Sequence, residues 1–89
     1  MKAERVTLCN RLGLHARAAS KLVSTAAEFQ SSVFVVRDDR RVNAKSIMGV
    51  LMLAAPVGTE IGFECEGPDE ADALAALVAL VNDRFGEGE

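Results

Sequence analysis

Polar and apolar positions alternate at period two over Arg5-Val6-Thr7-Leu8-Cys9, the pattern of a strand with one buried face. Residues 10–14, with Gly13 among them, predict a loop. From residue 16 to about 28 the period changes. Ala19, Leu22, Val23 and Ala26 fall at i, i+3, i+4 and i+7, one face of a helix. Ser32 to Arg37 is β-branched and aromatic, Asp38-Asp39 is a short polar turn, and Arg40 to Asn43 completes a predicted hairpin. Ser46 then stands before the apolar run 47–53, which predicts a short helix with Ser46 as its N-cap, ended by Pro56, Val57 and Gly58.

Alternation returns in Glu60 to Glu66, with Ile61, Phe63 and Cys65 on one face and Glu60, Glu64 and Glu66 on the other. Such a strand suits an antiparallel sheet with one wet face. Gly67-Pro68-Asp69 introduces a last helix, capped by Asp69 and burying Leu74, Leu77, Val78, Val81 and Phe85. The tail, residues 86–89, reads as frayed. The order β-α-β-β-α-β-α predicts an α+β fold, a two-layer open-faced sandwich of four antiparallel strands with helices on one face. A length of 89 residues fits a single domain, 1–89.

Composition narrows the class. With 49% hydrophobic and 26% charged residues, disorder is not expected. The longest uncharged apolar stretch, residues 47–57, is too short to span a bilayer, and Met1-Lys2-Ala3-Glu4 lacks the apolar core of a signal peptide. A cytoplasmic protein with no membrane association is the expectation. Cys9 and Cys65 are too few for a disulfide framework and are expected as small buried hydrophobes. Net charge is −3, but residues 1–50 carry nine Lys/Arg against four Asp/Glu, and residues 51–89 one Arg against nine acids. The basic half is a solvated face or an attractor of phosphate or an acidic partner. Nucleic acid is disfavoured, because no aromatic residues interleave with the basic ones.

One histidine excludes a multi-histidine metal site, and no glycine-rich phosphate loop follows a strand, so no metal or cofactor is expected. The chemistry is local to Gly13-Leu14-His15-Ala16-Arg17-Ala18-Ala19. If the helix starts at Ala16, His15 is its N-cap, where unpaired N–H groups and the helix dipole favour an anion. A ring nitrogen with a free lone pair there can act as a nucleophile, and Arg17 can turn a planar guanidinium toward a phosphoryl group. On these residues alone, an ordinary capping histidine and a phosphate-carrying one both stay open. So does a small anion- or acyl-phosphate-binding enzyme, or a ligand-binding regulatory module.

Gly13-Leu14-His15-Ala16-Arg17 with Ala19, and Asn43-Ala44-Lys45-Ser46-Ile47-Met48-Gly49 further on, resemble the HPr family of the bacterial phosphotransferase system. The likeness runs almost end to end and includes Gly67, Asp69, Glu70, Ala73 and Leu74. It implies strand order 1-4-2-3, three helices on one side, and a phosphoryl carrier rather than a stand-alone enzyme. It also implies that enzyme I phosphorylates His15 on Nδ1, that Arg17 contacts the phosphate, and that an IIA-type protein takes the group from a monomeric carrier. Ser46 resembles the regulatory serine modified by HPr kinase/phosphorylase in some bacteria. A partner surface is expected from Ile47, Met48, Leu51 and Met52, part exposed and part core, flanked by Ser20, Lys21 and Ser24.

Ala18 departs from the family's usual proline, an exchange worth roughly 0.4–1 kcal/mol of stability through the unfolded chain. It removes no chemical group from the site. Residues 51–55 and Phe85-Gly86-Glu87 look similar to proteobacterial versions, including the nitrogen-related carrier NPr, whereas the Ser46 segment looks more like the sugar-transport carrier.

Overall fold

The computed structural model describes residues 1–88. Along the chain run β1 (Lys2–Thr7), α1 (Ala16–Ala27), β2 (Ser32–Arg37), β3 (Arg40–Asn43), α2 (Ile47–Leu51), β4 (Glu60–Glu66), α3 (Glu70–Asn82) and a short 3₁₀ turn, Arg84–Gly86. The four strands form one antiparallel sheet in the order β1-β4-β2-β3. Register places Val6 opposite Ile61 and Val35 opposite Phe63, so the inward side chains of three strands meet on one face. There they pack with Ala18, Leu22 and Ala26 of α1, Val50 of α2, and Ala73, Leu77 and Val81 of α3. The other face stays open, carrying Arg5, Arg41 and the glutamates of β4, with Arg41 stacked 3.7 Å over the Phe34 ring.

The predicted β2, β3 and β4 agree with the structure residue for residue, and α1 ends one residue short of the expected limit. Four expectations need correction. The first strand runs Lys2–Thr7 rather than 5–9, because the β1–β4 ladder closes at Thr7 opposite Glu60; Leu8 is buried but bonds to Gly58 and Thr59. Cys9 therefore lies past the ladder and is exposed, its Sγ 3.3 Å from the Val81 carbonyl, whereas Cys65 is buried as expected. Burial first, then the negative charges of Glu70 and Asp69, pushes the Cys65 thiol up.

Asp69 stands at the N-cap of α3 but makes no cap bond. Its carboxylate instead accepts from the Gln30 and Ser31 N–H groups, both at 2.9 Å, and from Ser31 Oγ, clamping the turn between α1 and β2. Glu70 accepts from the Gly67 N–H at 3.1 Å in its place. Finally, Phe85 is not on the last helix. That helix stops at Asn82, and Phe85 reaches the core from the 3₁₀ turn, while Leu74 and Val78 are half-buried.

The short apolar helix is a compromise. Val50 and Leu53 are fully buried, Leu51 is half-buried, and Ile47, Met48 and Met52 are exposed. Its C-terminal end is tied to the β2–β3 hairpin: Arg37 donates to the Leu53 and Ala54 carbonyls and Arg40 to that of Met52. Among the described residues no helix is long and apolar enough to cross a membrane, and no cluster of three metal-ligating side chains occurs.

Candidate functional site

The loop from β1 to α1 is built around a buried side chain. Asn10 is fully buried, and its amide donates to the Gly13 carbonyl at 2.7 Å. The Gly13 N–H returns a bond to the Asn10 carbonyl at 3.1 Å, closing a tight turn. Gly13 has φ +65°, and a Cβ there would lie 2.6 Å from the Ala55 carbonyl oxygen and 2.8 Å from Pro56 Cα. Only glycine fits both the conformation and the space. Leu14 is buried and donates its N–H to Ala55 at 2.8 Å. The segment after α2 thus supports the backbone that presents His15.

His15 is the N-cap of α1, with extended ψ of −178°. Its carbonyl accepts the first helical bond from Ala19, and Nδ1 accepts from the Arg17 N–H at 3.3 Å. The other ring nitrogen, Nε2, donates to Glu87 Oε2 at 2.5 Å. Glu87 Oε1 accepts from Asn10 Nδ2 at 3.0 Å, so Asn10 braces both the loop and the tail. Burial works to raise the Glu87 carboxyl, but the bonds from Asn10 and His15 and the charges of His15 and Arg17 outweigh it. The carboxyl is held below the usual range.

This pattern fixes the ring. A carboxylate can only accept, so Nε2 carries the proton, and a backbone N–H can only donate, so Nδ1 keeps its lone pair. A nucleophilic nitrogen therefore lies at the positive end of a helix, beside the exposed Arg17. His15, Ala16 and Arg17 share with Arg11, Leu12 and Glu87 a hollow of about 430 Å³. A larger hollow of about 680 Å³ lies on the open sheet face between Arg5, Val36 and Glu60 and contains no histidine.

Ser46 is exposed and caps α2, its Oγ accepting from the Gly49 N–H at 3.3 Å. Ser20, Lys21 and Ser24 are exposed and line a shallow depression with Arg17, Thr25 and Leu80 of α3; Lys21 also donates to the Phe85 carbonyl at 2.6 Å. Sequence reasoning missed four neighbours of His15, Arg11 on the wall of its hollow among them. Leu12 is 61% exposed at the rim, Asn10 is buried beneath, and Glu87 comes from the tail that reads as frayed. No local pattern marks Glu87, which meets a residue 72 positions away.

Comparison with known proteins gives the family. The model of the PTS HPr component phosphorylation site matches residues 2–83. The phosphocarrier protein HPr of Neisseria meningitidis serogroup B is 53% identical over 89 residues, covering the whole of both chains. That of Cupriavidus necator is 55% identical over 83 residues, 93% of each chain. Among solved structures, HPr-C-His from Thermoanaerobacter tengcongensis superposes with a TM-score of 0.95 at 44% identity, covering 98% of each chain. The chain belongs to the HPr family of phosphocarrier proteins of the phosphotransferase system.

Proposed function

We propose that this phosphocarrier accepts a phosphoryl group on His15 Nδ1 from phosphorylated enzyme I and passes it to an IIA-type protein, acting as a monomer that meets each partner briefly. The observation that carries the reading is the ring orientation, with the Nδ1 lone pair at the N-terminus of α1 and the proton on Nε2. In acceptance, the lone pair attacks phosphorus and an N–P bond forms. The bond from phosphorus to the donor's leaving group breaks, and that group departs with the electron pair. The first N–H groups of α1 and the Arg17 guanidinium then favour the phosphoryl oxygens.

The dipole contributes only about 0.3–1 kcal/mol, which suits a carrier, because tight holding would slow the second transfer. Family membership favours relay over a stand-alone acyl-phosphate enzyme. The exposed side chains of Ile47, Met48 and Met52, with half-buried Leu51, supply an adaptable apolar docking surface, and Ser20, Lys21 and Ser24 add a polar one. Ser46 is a regulatory phosphorylation site on the same reading. It is exposed, and a phosphate there would sit at a helix N-terminus that tolerates it while placing about −1.5 to −2 charges beside the docking surface.

Intact mass after incubation with enzyme I, Mg²⁺ and phosphoenolpyruvate tests the carrier reading. Wild type is expected to gain one acid-labile phosphoryl group and His15→Ala none. No uptake by wild type from an active cognate enzyme I would overturn it.

A further inference from the structure

We infer that Glu87 is a positioning residue for phosphoryl exchange at His15, holding the ring proton on Nε2 so that Nδ1 can take up and release the group with no proton moving at the ring. This inference deepens the phosphocarrier reading and rests on it. Two features beyond the short Glu87–His15 bond show that the contact is built. The carboxylate is doubly held, by His15 on one oxygen and by the fully buried Asn10 on the other, and its side chain is only 10% exposed. The chain reaches this position through an uncommon backbone path. Arg84 and Phe85 both have φ +54°, a region that residues with a Cβ rarely adopt, and Gly86 follows at +74°. Burial of Phe85 in the core and the Lys21 bond to its carbonyl hold the turn in place.

The chemistry follows from where the proton sits. A neutral imidazole has one ring proton, and the acceptor-only carboxylate, together with the 3.3 Å bond that Nδ1 accepts from the Arg17 N–H, keeps it on Nε2. After Nδ1 attacks phosphorus, the ring bears phosphorus on Nδ1 and hydrogen on Nε2 and is cationic, so its bond to Glu87 becomes an ion pair. In the second transfer the N–P bond breaks and its electron pair returns to Nδ1. The ring leaves as neutral imidazole with the proton still on Nε2. Without that proton it would have to leave as an imidazolate anion, a much poorer leaving group. The charged groups lining the ring's hollow are Glu87 from the tail, Arg17 from α1 and Arg11 from the preceding loop. The two cations suit the phosphoryl oxygens, and only the carboxylate suits the Nε2 edge.

The test compares wild type with Glu87→Gln, nearly isosteric but uncharged, and with Glu87→Asp, which keeps the charge. Ring ¹⁵N NMR is expected to show the Nε2–H tautomer in wild type, a measurable share of Nδ1–H in Glu87→Gln, whose amide can donate to Nε2 at the expense of the long Arg17 N–H bond to Nδ1, and recovery in Glu87→Asp. In the phosphorylated proteins, hydrolysis is followed against pH. The fall in rate as the ring loses its proton is expected about one pH unit lower for Glu87→Gln, from loss of the adjacent opposite charge. Transfer to an IIA-type acceptor at neutral pH is expected to slow about tenfold. Identical tautomers and pH profiles in wild type and Glu87→Gln, with wild type accepting phosphate normally, overturn the role of Glu87 and leave the carrier reading intact. A wild type that accepts no phosphoryl group overturns the carrier reading itself, and the role of Glu87 with it.

Discussion

Gly13→Ala tests the packing that presents His15. At φ +65° a residue with a Cβ costs about 1–2 kcal/mol. The added carbon would also lie 2.6 Å from Ala55 O and 2.8 and 2.9 Å from Pro56 Cα and C. All three are backbone atoms and cannot rotate away, so two packed segments must separate, at about 1–3 kcal/mol more. The sum is about 2–5 kcal/mol. In a domain of this size each kcal/mol moves the melting temperature by about 4–8 °C, so a fall on the order of 8–40 °C is expected. Gly58→Ala is the control. Its φ is +87°, but nothing lies within 4 Å of the added carbon, leaving only the conformational cost of about 1–2 kcal/mol. Thermal and urea unfolding of the three proteins, followed by circular dichroism, separates the two contributions. Gly13→Ala should also accept phosphate more slowly where it is still folded, because the Leu14–Ala55 bond beside His15 is displaced. A melting temperature for Gly13→Ala no lower than that of Gly58→Ala would refute the reasoning.

Ser46→Asp is expected to slow phosphorylation of His15 by enzyme I while changing stability by no more than about 0.5 kcal/mol, since Asp also caps helices; an unchanged rate would contradict the regulatory reading. Ile47→Asp and Met48→Asp, at 38% and 66% exposure, should weaken transfer to and from partners with little loss of stability, whereas Leu53→Ala, fully buried, should cost about 2–5 kcal/mol. A large fall in melting temperature for Met48→Asp would assign that side chain to the core. Three carboxyls are held below their usual range: Asp69 chiefly by the Ser31 hydroxyl, Glu70 by the Gly67 N–H, and Glu87 by Asn10 and His15 against its burial. Depressed in the folded state, they contribute stability that is complete above the ordinary carboxylate range near pH 4 and is lost as pH falls through their folded values. Asp69→Asn should flatten that acid loss in stability measured against pH, and an unchanged slope would refute its share.

The parts of the fold that were legible are those whose pattern is local. Glu60 to Glu66 buries every second residue against the helices, so its alternation marks strand, limits and inner face together. Ser46 and His15 show as N-caps because the break in periodicity falls beside them. The first strand was displaced because it is an edge strand whose inward positions Lys2 and Glu4 stay exposed, leaving Val6 as its only buried residue. Phe85 fits a helical stripe by spacing, but two left-handed residues without glycine turn the chain there, which no composition signal announces. Asp69 looks like a cap, yet its carboxylate crosses to Gln30 and Ser31, a choice decided by tertiary packing. The place of His15 at the start of α1 was legible for the same reason as the caps. Its partner Glu87, and Asn10 that braces Glu87, were not, because contacts across 72 and 77 positions have no periodicity to betray them.

The most direct test of the central claim is where phosphorus sits after enzyme I has acted. Nitrogen–phosphorus coupling in ¹⁵N and ³¹P NMR spectra of the freshly phosphorylated protein locates the bond. A single phosphoryl group on His15 Nδ1, with hydrogen retained on Nε2, is expected. Phosphorus on Nε2, or on a residue other than His15, would contradict it.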